Sequence, residues 1–239
     1  MLDDNQISSS LACKLTYDVG FVLDSSGSIS SDDYIRQKEV VKYLSNYFVL
    51  NGLNYRTGLI QFSENADLVV RLSDPSSQFN TSIDNMIQMG TITRLDRALR
   101  LAQTGLFNTL NGDRTNVGDV LYVVVDGTQT PQADSEEPAD ILDEMRAVGT
   151  DVVVVGIGNE ITNFELKQLA GGRDDRVFEA PTFDDFVNEA FARDLINVLC
   201  DSEYISKIKL QQDCSVRITM SLTSHLSLNL FETSHTCTE

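Results

Sequence analysis

The stretch from Asp18 to Ser30, DVGFVLDSSGSIS, constrains the fold more than any other part of the chain. Val19 to Leu23 is a short apolar run of branched and aromatic residues, the composition of a strand covered on both faces in a parallel sheet. The run breaks at Asp24 into Ser25-Ser26-Gly27-Ser28, and a helical pattern follows. Open α/β sheets collect ligands where their strands end at the carboxyl edge. Asp24, Ser26 and Ser28 therefore place a carboxylate and two hydroxyls at such a position, on a loop that Gly27 leaves free to curl. Oxygen-only side chains suit a hard cation such as Mg2+ better than zinc or copper. On these residues alone, an Asx or serine turn capping the next helix is the competing reading.

The rest of the chain continues the alternation of strand and helix. Ser31-Asp32-Asp33 supplies an N-cap and early negative charge for a helix from Asp32 to Leu50, with Tyr34, Val41, Leu44 and Phe48 on one stripe. Tyr55 to Phe62 reads as a second strand and Ala66 to Leu72 as a third. The short Ser63-Glu64-Asn65 link between them permits only a hairpin, so one antiparallel edge strand is expected. Ser76 to Met89 reads as a short helix carrying the glycosylation sequon Asn80-Thr81-Ser82. Thr91-Ile92-Thr93 then leads into a helix bearing Leu95, Leu99, Leu101 and Ala102, and Thr91 by itself could serve as a helix cap. Val117 to Val125 is the most apolar strand and ends at Asp126-Gly127, an acid facing the same crevice as Asp24, or a turn-forming pair. A helix over Ala139 to Val148, a strand over Asp151 to Gly156, a helix over Asn163 to Leu169 and a short strand at Val177-Phe178 follow. Gly156-Ile157-Gly158 lacks the third glycine of a dinucleotide motif and reads as a strand-to-loop turn. Phe183, Phe186, Val187, Ala190, Phe191, Leu195 and Val198 stripe one final helix.

Asp-x-Ser-x-Ser at 24–28, a threonine ahead of a helix at Thr91, and Asp126-Gly127 after a buried strand occur in the order of a metal-ion-dependent adhesion site. The chain from about Cys13 to Cys200 thereby resembles a von Willebrand factor type A domain, the fold of integrin I domains, matrilins and collagen VI. The resemblance implies an α/β, doubly wound (Rossmann-like), mostly parallel six-stranded sheet with one antiparallel edge strand and helices on both faces. It also implies that Ser26 and Ser28 bind Mg2+ directly and that Thr91 binds directly or through water. Asp24 and Asp126 would act mostly through hydrogen bonds to hydroxyls and bound water. Mn2+ and Ca2+ are the alternative ions, and one coordination position stays open for a partner's carboxylate. Arg94 stands where the family commonly has glycine. It is read here as steering that carboxylate inward. Spacing alone leaves all three pairings of Cys13, Cys200, Cys214 and Cys237 open and matches no zinc motif. The resemblance favours Cys13–Cys200 as a clasp, with Cys214–Cys237 as the second pair.

Charge and the remaining motifs narrow the function classes. The 18 basic and 36 acidic residues give a net charge of -18, a surface that repels nucleic acid and anionic membranes. No apolar run is long enough to span a bilayer, and MLDDNQISSS is polar, unlike a signal peptide. His225 and His235 both lie in the tail, which leaves the domain without an imidazole base, and there is no Gly-x-Ser-x-Gly elbow. A haloacid-dehalogenase-like phosphatase would use Asp24 as nucleophile beside Mg2+, but its usual second aspartate is Ser26 here. The expected organisation is an extension over 1–12, the type A domain over 13–200 and a tail of unknown fold over 201–239. The expected protein is secreted and non-enzymatic, and binds an extracellular-matrix or cell-surface partner through a Glu or Asp set among basic or neutral residues, as in collagen-like sequences. Self-association into a homo-oligomer stays open, and an acidic matrix-assembly protein with an incidental metal site is the alternative. Asp32, Asp33, Asp134, Glu136 and Glu137 are expected to make the metal face negative.

Overall fold

Six apolar runs form one sheet in the computed structural model, which describes residues 16–50 and 55–199. The strands are β1 (Tyr17–Asp24), β2 (Arg56–Phe62), β3 (Ala66–Val70), β4 (Gly118–Gly127), β5 (Asp151–Glu160) and β6 (Val177–Ala180), in the order β3-β2-β1-β4-β5-β6. β2, β1, β4, β5 and β6 run parallel, and only β3 is antiparallel, against β2. Three residues between β2 and β3 are too few for a crossover, which is why this edge reverses. The chain winds outward from β1 to β2 and then returns to place β4 on the other side of β1. That reversal opens a crevice at the carboxyl ends of β1 and β4.

The central strands alternate their side chains between two covered faces. Val22, Leu121, Val123 and Val154 pack in one cluster with Leu95 and Leu99 of α3 (Leu95–Leu101), Ile141 and Leu142 of α4 (Pro138–Ala147), and Leu166 of α5 (Asn163–Leu169). On the other face Phe21 stacks on Tyr122 at 5.4 Å and meets Phe79 of α2 (Ser76–Asp84) edge-on. The Tyr122 hydroxyl donates to the Leu195 carbonyl at 2.7 Å, so the one polar atom of that buried ring is satisfied. Tyr34, Val41 and Leu44 of α1 (Ser31–Leu50) are buried, as their stripe requires.

Several boundaries differ from the sequence reading, each for a local reason. α1 is capped by Ser30, whose hydroxyl accepts the Asp33 N–H and donates to the Asp33 carboxylate. α2 stops at Asp84 instead of continuing to Met89. The segment beyond it is claimed by the β1–α1 loop: Met89 N–H donates to Ser25 Oγ and Gly90 N–H to the Ser25 carbonyl. β5 continues through Gly156 and Gly158 to Glu160, so that pair of glycines is strand and not turn. A Cβ on Gly156 would stand 2.6 Å from Leu166, so the glycine lets α5 pack down on the strand. The last helix is two pieces, α6 (Phe183–Phe186) and a helix over 189–199. They break at Asn188, whose side-chain oxygen takes the Ala190 N–H and so caps the second piece. Asn80 lies in α2 with its amide nitrogen bonded to Asn46. The four cysteines, the extension over 1–12 and the tail over 201–239 fall outside the described residues.

After α3 the helix widens into a π turn over Ala102–Leu106, which carries Leu106 onto the sheet. Gly20 and Gly58 are partners across β1 and β2, and a Cβ on either would collide with Leu106, at 2.6 Å for Gly20. Gly58→Ala should therefore cost about 1–3 kcal/mol by overpacking. Urea denaturation of Gly58→Ala, Leu106→Ala and the double variant should show strong non-additivity, because the smaller side chain relieves the clash.

Candidate metal centre

The crevice between β1 and β4 gathers Asp24, Ser26, Ser28 and Asp126, and a backbone bond brings Thr91 to the same loop. Asp24 Oδ1 accepts the Ser26 N–H at 2.7 Å, which is the Asx turn, and Ser26 Oγ lies 2.9 Å from Ser28 Oγ. Gly27 N–H donates to the Thr91 carbonyl at 2.8 Å. Asp24 is fully buried, and burial, then the charge of Asp126, pushes its carboxyl up to about 7. Burial likewise raises Asp126, against the opposing hydrogen bond of Ser28. Asp24 Oδ2 and Asp126 Oδ1 are both buried and have no hydrogen-bond partner among the described residues. Two adjacent buried carboxylate oxygens without donors are costly, and a cation is the group that would satisfy both. The donors present are carboxylates and hydroxyls, so the residues fit a hard divalent ion.

The residues that position this set are mostly ones the motif does not contain. Ser63 directly follows β2, and its hydroxyl donates to the Ile92 carbonyl while lying 2.7 Å from Thr91 Oγ1. With the Ser63 proton so used, the Thr91 hydroxyl donates to Ser63. The Glu64 N–H takes one Thr91 lone pair, and the other stays free for a cation. The end-of-strand rule that selects Asp24 and Asp126 selects Ser63 as well. Ser25 Oγ accepts from Gln61 and from the Met89 N–H, and Gln88 donates to the carbonyls of Ser26 and Ile29. Thr91 is not the cap of α3, a position held by Arg94 with no side-chain bond. Gly27 is needed for space more than for curl, since its Cβ would lie 3.0 Å from the Gly90 carbonyl oxygen. The left-handed residue of this pair of loops is Gly90, at φ 74°.

Arg94 does not reach for a partner's carboxylate. It is buried, grips Asp96 with two parallel bonds of 2.8 and 2.9 Å, and holds Asp134 at 2.9 Å. Burial alone would push the Asp96 carboxyl up, but the Arg94 guanidinium together with backbone N–H donors, that of Glu136 first, holds Asp96 below the usual range. Asp96 also accepts the Glu136 N–H and donates its own N–H to Gln129. Thr93 and Thr130 exchange a further pair of bonds. The Thr91 turn is thereby stapled to the β4–α4 loop. The acidic face is also less negative than the residue list suggests. Arg94 and Arg97 engage Asp134, Arg100 engages Glu136, and Arg36 engages Asp33. Arg94→Met should cost about 3–5 kcal/mol in chemical denaturation, because Asp96 is left buried and unpaired. Arg97→Ala, at a half-exposed pair, should cost about 1 kcal/mol or less.

The model of the von Willebrand factor type A domain family matches residues 18–193. The chain belongs to this family. It is 26% identical over 187 residues to the human collagen alpha-5(VI) chain, covering 77% of this chain and 7% of the collagen. It is 27% identical over 146 residues to mouse integrin alpha-M, covering 59% of this chain and 12% of the integrin. The chain thus spans a small part of these relatives. Its fold matches proximal thread matrix protein 1 from the mussel byssus, solved with a zinc-occupied MIDAS motif, at a TM-score of 0.71 and 22% identity. That match covers 79% of this chain and 49% of the byssus protein. The family thus joins it to proteins named for matrix and adhesion, and no helix among the described residues is long and apolar enough to cross a membrane.

A second acidic group sits at the opposite, amino-terminal edge of the sheet. Asp18, Asp113 and Asp119 bring one carboxylate oxygen each within 4.8 Å of one another. Asp18 is taken by Arg114, through its guanidinium and its backbone N–H. Burial, then the charge of Asp113, pushes Asp119 up to about 7. A carboxyl raised above its unfolded value costs nothing below pH 4, and its penalty grows as pH rises through the window from about 4 to about 7. Asp119→Asn should therefore raise the melting temperature at pH 8 in EDTA and leave it unchanged at pH 4. The gain is bounded by about 4 kcal/mol for a three-unit shift and reduced by the partial exposure of the residue.

Proposed function

We propose that this module binds proteins in a divalent-cation-dependent manner outside the cell, by presenting Mg2+ to a partner's carboxylate. The observation that carries this reading is the pair of buried, unpartnered oxygens on Asp24 and Asp126 beside the Ser26 and Ser28 hydroxyls. Ser26 and Ser28 would hold the ion directly, with Thr91 near it and Asp24 and Asp126 anchoring hydroxyls and water. Few directly bound anions leave the ion with positive character, so it seeks one more carboxylate. A Glu or Asp of a matrix or cell-surface protein, set among basic or neutral residues, is the partner chemistry that an acidic chain favours. The same reading takes 13–200 as the domain, closed by Cys13–Cys200, in a secreted and non-enzymatic protein. Mn2+ and Ca2+ are the alternative ions.

Mg2+ or Mn2+ at about a hundred times its Kd should stabilise the wild-type protein by about 2.7 kcal/mol, reversibly with EDTA. Asp24→Ala and Asp126→Ala should abolish that gain in a thermal melt. Unchanged cation stabilisation in both variants would remove the assignment. Thr91→Ala should weaken capture of an acidic peptide more than it lowers the melting temperature. A generic phosphomonoester incubated with protein and Mg2+ should stay intact, and turnover lost in Asp24→Ala would favour the phosphatase reading.

A further inference from the structure

Next to this centre lies a cleft of about 520 Å³, within the size range of ligand sites. Its wall begins at Gly127, the residue after Asp126, so it shares the carboxyl edge of β4 with the proposed metal centre. Leu95, Pro138, Ile161 and Leu169 are buried and supply an apolar floor. Glu137, Glu165, Gln132 and Gln168 supply oxygen atoms around it, and no Lys, Arg or His among the described residues lines the cleft. The carboxylates there are not equally free. Arg100 neutralises Glu136. Glu165 keeps its charge while taking the N–H and hydroxyl of Thr162. The Glu137 side chain has no hydrogen bond or ion pair among the described residues, and it caps no N–H of α4.

We propose that this cleft receives an arginine side chain of the partner whose carboxylate reaches the metal. An arginine carries an aliphatic stem that would lie on Leu95, Ile161 and Leu169, and a planar head with five donors. Those donors match the Glu137 and Glu165 carboxylates together with the amide oxygens of Gln132 and Gln168. An acidic side chain meets the like charge of Glu137 and Glu165 with no cation to offset it, and a neutral apolar one leaves the rim carboxylates without a partner. The cleft therefore sets which residue flanks the captured acid, and in that sense the proposal rests on the metal-dependent reading. The chemistry of the cleft itself needs no metal.

Two measurements on the full chain separate the two ideas. The first, in EDTA, follows backbone amide NMR shifts during titration with N-acetyl-arginine amide and its uncharged isostere N-acetyl-citrulline amide. Saturable shifts at Gly127, Gln129 and Gln168 are expected for arginine and not for citrulline. Glu137→Gln should weaken arginine binding about two- to fivefold, the range of an exposed ion pair. Asp67→Asn, an equal loss of charge on exposed β3, should leave it unchanged. Equal weakening by both variants, or equal binding of citrulline, would reduce the effect to bulk attraction and overturn the proposal. The second measurement, in Mg2+, compares acidic peptides bearing arginine or citrulline near the acid. Glu137→Gln should cut the advantage of arginine about two- to fivefold while leaving Mg2+ stabilisation intact. An arginine advantage undiminished in Glu137→Gln would place the base elsewhere and overturn the proposal too. Loss of all Mg2+-dependent capture would count against the metal centre alone, with the EDTA titration still deciding the cleft.

Discussion

Two carboxylates forced together in a buried crevice are the constraint around which this molecule is arranged. Asp24 closes β1 and Asp126 lies at the end of β4, and each keeps one oxygen with no donor. Parallel neighbours must end at the same edge, so adjacent strands that each finish in an aspartate bring like charges together. The protein relieves the repulsion only partly, through the Ser26 N–H and the Ser28 hydroxyl, and burial drives the Asp24 carboxyl up to about 7. Groups left half-satisfied in this way are costly, and a cation between them is what the proposed function would supply.

Holding that geometry falls to residues with no ligand role of their own. The β1–α1 loop is tied to the 85–91 segment through Ser25, Gln61 and Gln88, and the Thr91 turn is tied to β2 through Ser63. Arg94 adds the third tie, to the β4–α4 loop, through Asp96 and Asp134. Each loop of the centre is thus fixed to another by bonds that are buried or partly buried, where a missing partner costs more than in water. Arg94 shows how a charge can be recruited for shape: four hydrogen bonds tie its guanidinium to Asp96 and Asp134, and those acids are offset on the face outside.

That redistribution of charge also leaves the surface beside the centre uneven. Arg36, Arg97 and Arg100 offset the acids closest to them. The cleft past Gly127 keeps Glu137 and Glu165 uncompensated over an apolar floor. A net charge of -18 is therefore a poor guide to what the binding face prefers at any one point.

Much of the fold was legible in the chain because the signals are local. Short branched runs marked the buried strands, the three-residue link dictated the antiparallel β3, and acids at strand ends pointed to Asp24 and Asp126. The residues that were missed or misread act across long separations. Nothing near Arg94 in sequence announces Asp134, and nothing near Gly20 announces that Leu106 will need its missing Cβ. Local pattern also overran α2 and the last helix, because Ser25 and Asn188 compete for backbone groups that periodicity assigns to helix. The sequence by itself determined which segments become strands and which oxygen-bearing residues end them. Tertiary structure decided that Arg94 turns inward, that Ser63 holds Thr91, and that each of the two carboxylates keeps an oxygen without a donor among the described residues, because hydrogen bonds and burial are settled by which segments meet.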